Sequence, residues 1–357
     1  MVLQLEWIVL INLYHYMEVN LISDTITRPT QGMLDAMMSA TVGDDVFKED
    51  PTVNEFEERV AQLFGKEAAL FFPSGTMANQ TAIKVHTQPG EQLICDHFAH
   101  IFNYEGGGIS FNSGVSCKLI EGTRGMITAE QVEAAINPPD FYHSPLTSLV
   151  EIENTTNKGG GACYDFSELQ RIRAVCDKHN LSYHLDGARL WNAVVAKGEN
   201  FLQYGNLFDS ISVCFSKGLG CPVGSVVVGS KDFIHKALRV RKIFGGGMRQ
   251  AGYFAAAGIY ALDNHIESLA IDHQKASEIG AILATKSSIQ KVEQVETNIV
   301  IFELNTECIS EQKFNKFLDD HQIRIIAMGG GKLRMVTHRD YTDSMHEYLI
   351  SVLERLD

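Results

Sequence analysis

Residues 212–225 read SVCFSKGLGCPVGS. An apolar, β-prone run that begins at Ser210 ends on a single cation, Lys217, and glycines follow at once. A lone lysine at a strand end is by default a solvated edge residue. The glycines point elsewhere, because they let other backbone or a ligand approach closely. A lysine held in such a place can lose its proton and become a nucleophile. What the neighbouring strands present at the same end decides between the two.

Working outward, apolar runs alternate with amphipathic segments. The runs are AALFFPSGTMAN, EQLICD, SLVEIENTT, LSYHLDGAR, SISVCFS and SVVVGS. DPTVNEFEERVAQLFG opens on Asp50-Pro51 and closes on Gly65, a helix with both ends marked. DFSELQRIRAVCDKHN is a second helical segment. Strands alternating with helices imply βαβ units and a mostly parallel, buried sheet, in which ligands bind at the carboxyl ends of the strands. From about residue 265 the pattern changes to a long helix, SIQKVEQVETNIVIFEL, a helix near 310–321, KLRMVTH and a last helix. The expected organisation is a large α/β domain over 17–264 and a smaller α+β domain over 265–357.

With 357 residues, 45% of them apolar, the chain can bury a sizeable core. A formal charge of −14 argues against nucleic acid or an anionic membrane as partner. Seven cysteines, odd in number and without a CxxC pair, read as reduced thiols of a cytoplasmic protein, with neither a disulfide framework nor a metal site. The opening MVLQLEWIVLINLYHYMEV lacks a basic n-region and carries Glu6, Asn12 and His15, so it is too interrupted to span a bilayer. Met17 precedes EVNLISDTITRP, and residues 1–16 read as an upstream extension; a targeting or membrane-surface segment is the rival reading.

The residues after each run carry the chemistry. Ser74-Gly75-Thr76 open a helix, where free backbone N–H groups can hold a phosphate; an ordinary N-cap accounts for the same residues. Asp186 ends LSYHL and wants a cation or a protonated ring nitrogen; an Asp–Arg pair with Arg189 is the structural alternative. Lys217 ends the next run. A phosphate loop, an acid and a lysine on successive strand ends are what a pyridoxal phosphate site needs.

The chain also resembles the L-threonine aldolases of the β-eliminating lyase group, on SDTITRPTQGMLDAM, VGDDVFKEDPTVNEFE, FPSGTMANQ, HIFNYEGG, EIENTTN, HLDGARLWNA, SKGLGCPVGSVVVG, RKIFGGGMRQ and RMVTH. The resemblance runs from about Asn20 to the last helix. It implies the aspartate aminotransferase architecture (fold type I, PLP-dependent transferase-like) with pyridoxal 5'-phosphate as cofactor. It makes Lys217 the Schiff-base lysine and Asp186 the partner of the pyridine nitrogen. Gly75 and Thr76 take the phosphate, and Arg189 contacts the cofactor and the substrate carboxylate. His100 matches the histidine that stacks on the ring; His97 lacks the motif's spacing. His143, ten residues before Glu153, corresponds to a second active-site histidine on a weaker match. Ser23 and Arg334 match substrate-carboxylate ligands. Arg241, Lys242 and Arg249 resemble a loop reaching a neighbouring subunit's cofactor phosphate, which implies a homo-oligomer, a dimer of dimers, with active sites at the interface. Ile22 stands where many relatives carry arginine. The implied reaction is retro-aldol cleavage of L-threonine or L-allo-threonine to glycine and acetaldehyde, with His100 or His143 as base. β-Elimination or transamination on the same scaffold, or a non-catalytic binding protein, are the alternatives.

Overall fold

Each apolar run expected to be a strand is one, and each pairs where its burial requires. The structure, a computed structural model, describes residues 18–356, so the proposed extension over 1–16 lies outside the described residues. After a two-residue strand β1 (Val19–Asn20), seven strands form one sheet: β2 (Ala68–Phe72), β3 (Gln92–Asp96), β4 (Ser116–Ile120), β5 (Thr147–Glu153), β6 (Ser182–Gly187), β7 (Ser210–Cys214) and β8 (Ser225–Gly229). Their order is β2-β8-β7-β6-β5-β3-β4. Adjacent pairs from β7 to β4 are parallel, and β8 runs antiparallel to both its neighbours. Buried on both faces, β3, β7 and β8 read as continuous apolar runs. The edge strand β4 exposes most of its side chains, which is why no apolar run announces it.

Two compact units emerge: Thr27–Glu267 around the large sheet, and residues 18–26 with 268–356. In the large unit the helix Pro51–Phe64 starts on the Asp50 side chain, which accepts from Val53 N–H at 3.0 Å, and stops at Gly65 in the left-handed region. Val53, Phe56, Val60 and Phe64 bury its apolar stripe. The helix Gly75–His86 packs Ala78 and Ala82 against Leu70, Phe72 and Val227.

The second unit holds an antiparallel sheet β12-β13-β10-β9, formed by β9 (Ile289–Val292), β10 (Ile299–Leu304), β12 (Ile326–Gly329) and β13 (Lys332–Val336). Its core includes Val300, Phe302, Phe314, Leu333, Met335 and Leu349. β1 pairs in parallel with β11 (Ile323–Arg324), and Val19 and Leu21 join this core. The N-terminal strand, read from sequence as the start of the large domain, thus groups with the C-terminal strands. Ile22 lines a cavity of about 330 Å³ whose walls mix apolar Leu318, Ile323 and Ile325 with polar Asn315, Asp319 and Arg324.

Candidate active site

Glu153 and Asp186 stand at the carboxyl ends of the paired strands β5 and β6, and Lys217 follows three residues after the end of the next strand, β7. The backbone after β7 is pinned at several points. Gly220 N–H donates to the Lys217 carbonyl at 2.8 Å, Thr27 Oγ1 donates to the same oxygen at 2.9 Å, and Trp191 Nε1 donates to the Cys214 carbonyl at 2.9 Å. Gly220 has φ of +79°, which explains a glycine at this turn. Lys217 is half-buried, and no hydrogen bond or ion pair engages its ammonium among the described residues. This lysine is held by its backbone, and its amine is unengaged among the described residues.

Asp186, 1% exposed, is fixed at both oxygens. Ala188 N–H donates to Oδ1 at 3.0 Å and Asn79 Nδ2 to Oδ2 at 2.8 Å. Asn79 lies on the helix Gly75–His86, whose N-cap Ser74 accepts from Met77 N–H. The first turn, Gly75 and Thr76, leaves N–H groups free of intrahelical partners, the anion-binding end of a helix. Gly75 sits against Cys214: a Cβ there would lie 2.8 Å from the buried Sγ.

His100 begins a one-turn helix, and its Nδ1 lies 3.0 Å from Glu105 Oε1. Glu105 also accepts from Asn79 Nδ2 at 2.9 Å and from Gln80 Nε2 at 2.6 Å. Gly106 and Gly107, both at positive φ, form the turn directly after Glu105. One nitrogen or oxygen of each of His100, Glu105 and Asp186 lies within 4.8 Å of the others. Burial opposes protonation of His100, but the hydrogen bond to Glu105 and the charges of Asp186, Glu105 and Glu153 outweigh it, so its basicity is raised.

Glu153 accepts from His100 N–H at 3.0 Å and Asn157 N–H at 2.7 Å. Burial, then the neighbouring Asp186 charge, push its carboxyl up to about 7. Glu151 on the same strand is fully buried, with no hydrogen-bond partner on either oxygen. Burial, reinforced by Asp186, Glu153, Glu105 and Asp96, lifts its carboxyl well above the ordinary range.

The structure therefore gathers Asp186 and His100 into one network, with Lys217 in the turn three residues past the end of β7, the strand that pairs with β6. Arg189 is buried directly after Asp186 and Ala188. His143 is exposed on a loop, its ring against Tyr142 and Phe141, and no contact joins it to the network among the described residues. Of the glycine-rich loop, Arg241 is buried on Asp45 and the Phe71 carbonyl, and Arg249 pairs with Asp44 at 2.8 Å; Lys242 is exposed. In the other unit, Arg334 lies on β13 and donates to the Ile22 carbonyl at 3.2 Å, beside Ser23. Sequence reading missed Asn79, Gln80, Glu105, Ser212 and His184 as members of the site. Asn79 and Gln80 stand in FPSGTMANQ one turn into the helix that opens at Gly75, and that placement was the available signal.

A family model described as beta-eliminating lyase matches residues 20–307. Low-specificity L-threonine aldolase 1 of Arabidopsis thaliana is 40% identical over 344 residues, 94% of this chain and 96% of that protein. The low specificity L-threonine aldolase of Escherichia coli (strain K12) is 39% identical over 323 residues, 90% of this chain and 94% of that protein. A crystal structure of a protein described as an L-allo-threonine aldolase from Listeria monocytogenes superposes with a TM-score of 0.80 at 21% identity, covering 96% of this chain and 97% of that one. That likeness shows the fold, the PLP-dependent transferase-like (fold type I) architecture expected from sequence. From these matches and the geometry above, the chain belongs to the beta-eliminating lyase family, among the low-specificity L-threonine aldolases.

Proposed function

We propose that this protein is a pyridoxal phosphate-dependent aldolase that cleaves L-threonine and L-allo-threonine to glycine and acetaldehyde. The observation that carries the reading is the unengaged Lys217 amine in the turn after β7, the strand paired with the one whose end holds an Asp186 carboxylate fixed by two donors. The residues fit the cofactor. Lys217 would join its aldehyde, Asp186 would face its ring nitrogen, His100 its ring, and Gly75 and Thr76 would hold its phosphate, with Arg189 beside them. Bound pyridoxal phosphate supplies the carbonyl that takes up an amine and the sink for the electron pair left at Cα.

The chain's own residues do the rest. With Nδ1 directed to Glu105, His100 keeps Nε2 as the nitrogen that accepts the substrate's β-hydroxyl proton. As that proton leaves, the O–H electrons form the aldehyde C=O, the Cα–Cβ bond breaks, and a proton returned to Cα completes glycine. His143 is the second candidate for the base, acting through water. Ser23, Arg189 and Arg334 are assigned the substrate carboxylate, which sets the torsion that aligns the bond to be broken. We also assign a homo-oligomer, a dimer of dimers with active sites at the subunit interface, in the cytoplasm. Exposed Met38, Phe47 and Ile243 on the large unit, at 74%, 70% and 79%, support an interface, with Lys242 and Arg249 nearby in sequence to the last of them. No helix among the described residues is long and apolar enough to cross a membrane.

The test is spectroscopic. Purified protein mixed with pyridoxal phosphate should develop a visible absorbance band that Lys217→Ala abolishes. A band that survives the substitution would overturn the assignment of this lysine.

A further inference from the structure

Four side chains, His86, Ser210, His184 and Asn79, form one hydrogen-bonded chain, with Ser212 joining as a branch at Asn79, and its direction can be worked out. Asn79 Nδ2 lies 2.8 Å from Asp186 Oδ2 and 2.9 Å from Glu105 Oε1. Only the NH₂ side of the amide can face two carboxyl oxygens, so Oδ1 points the other way, as an acceptor. There it receives the Ser212 hydroxyl at 2.6 Å and faces His184 Nε2 at 3.4 Å, a long contact. An amide oxygen cannot donate, so His184 carries its proton on Nε2. Burial holds His184 neutral, its basicity pushed down to about 4, which leaves Nδ1 as an acceptor. Ser210 Oγ, 2.8 Å away, must therefore donate to Nδ1. The Ser210 oxygen then accepts from His86 Nε2 at 2.7 Å. Burial and the nearby His184 push His86 down to about 3, so it too is neutral with its proton on Nε2. His86 lines a cavity of about 620 Å³ with Lys66, Asp209 and Lys236, where β6 and β7 begin.

We propose that His86, Ser210, His184 and Asn79 are positioning residues forming a one-way donor chain, running from the cavity to the Asp186 and Glu105 carboxylates. Every hydrogen in the chain points towards the carboxylates. Aligned donors polarise one another, so the chain favours negative charge on Asp186 and keeps the Asn79 amide from turning over. Asp186 is then presented to the cofactor's ring nitrogen with its orientation fixed. The inference rests on the functional reading only for what Asp186 faces; the direction of the chain follows from the hydrogen bonds and the burial of its two histidines.

Two measurements test it. Solid-state ¹⁵N NMR of the full, histidine-labelled chain without cofactor, near neutral pH, should show His86 and His184 as neutral Nε2–H tautomers. The signals are assigned by their loss in His86→Gln and His184→Gln. An Nδ1–H tautomer or an imidazolium at either position would overturn the chain, and this readout needs no variant to bind cofactor. The second measurement is the affinity for pyridoxal phosphate. His184→Phe should weaken it roughly five-fold, the worth of about one lost hydrogen bond. His184→Gln, whose amide offers a donor near Nε2, should restore it. Equal losses in both variants would reduce His184 to packing. If the wild-type chain takes up no pyridoxal phosphate, the functional reading fails, while the tautomers still judge the chain.

Discussion

Replacing Glu151 by methionine should stabilise the protein, and the gain should grow with pH. The Glu151 carboxyl is fully buried on β5 with both oxygens unpartnered, among Asp186, Glu153, Glu105 and Asp96. An unsatisfied buried polar group costs about 1–3 kcal/mol, and methionine fills a similar volume without it. The pH term adds to this. The folded carboxyl titrates well above the ordinary glutamate range, which the unfolded chain keeps. Between those limits the unfolded chain releases a proton that the folded chain keeps. Stability from this group is thus full below the unfolded value and falls by about 1.4 kcal/mol per pH unit above it, while Glu151 stays protonated. At roughly 2.1 cal/mol/K per residue the unfolding entropy of a chain this long is about 0.75 kcal/mol/K, so 2 kcal/mol corresponds to about 3 °C in Tm. Scanning calorimetry of both proteins from pH 5 to 8, at one scan rate, reads the effect. The methionine variant should melt higher, by a margin that widens with pH. A variant that melts lower at pH 7–8, or a constant margin, would show that Glu151 is ionised and paired.

Other outcomes follow from the same geometry. Glu153 and Asp272 are each raised to about 7, mainly by burial, so both contribute stability at acid pH that fades as pH rises through 7; acid–base titration linked to melting should show net proton uptake on folding near pH 6. Asp50→Ala would strip an acceptor from the N–H groups of Gly43, Val53 and Gly252 at once, and should cost about 3 kcal/mol or more in chemical denaturation. Gly205→Ala would place a Cβ 1.6 Å from the Phe64 carbonyl oxygen; a loss above about 3 kcal/mol, seen as insoluble expression, is expected. His100→Ala should lower kcat by about 10²-fold or more while His143→Ala costs less, and the reverse order in steady-state assays would make His143 the base.

Much of this was legible in the sequence, for identifiable reasons. The buried strands announce themselves because both their faces are apolar, and the helix Pro51–Phe64 because Asp50-Pro51 and Gly65 mark its ends. Lys217 and Asp186, each with an ordinary structural explanation alone, stand out because they follow successive apolar runs after a helix-opening Ser74-Gly75-Thr76. Strand β4 was hidden by its exposure at the sheet edge. The grouping of Val19–Ile26 with the C-terminal strands was equally hidden, because β1 finds its partner about 300 residues away. Glu105, His184 and Asp186 could not be linked to Asn79 by spacing, since the bonds that join them to it span separations of 26, 105 and 107 residues. What sequence conveyed was which strand ends carry chemistry. The direction of the hydrogens behind them needed the geometry.

The central claim is the bond that is broken, and product analysis tests it most directly. Protein loaded with pyridoxal phosphate and given L-threonine should release acetaldehyde and glycine in equal amounts, and Lys217→Ala should release neither. Formation of 2-oxobutyrate in their place would contradict the retro-aldol assignment and show that the scaffold cleaves a different bond.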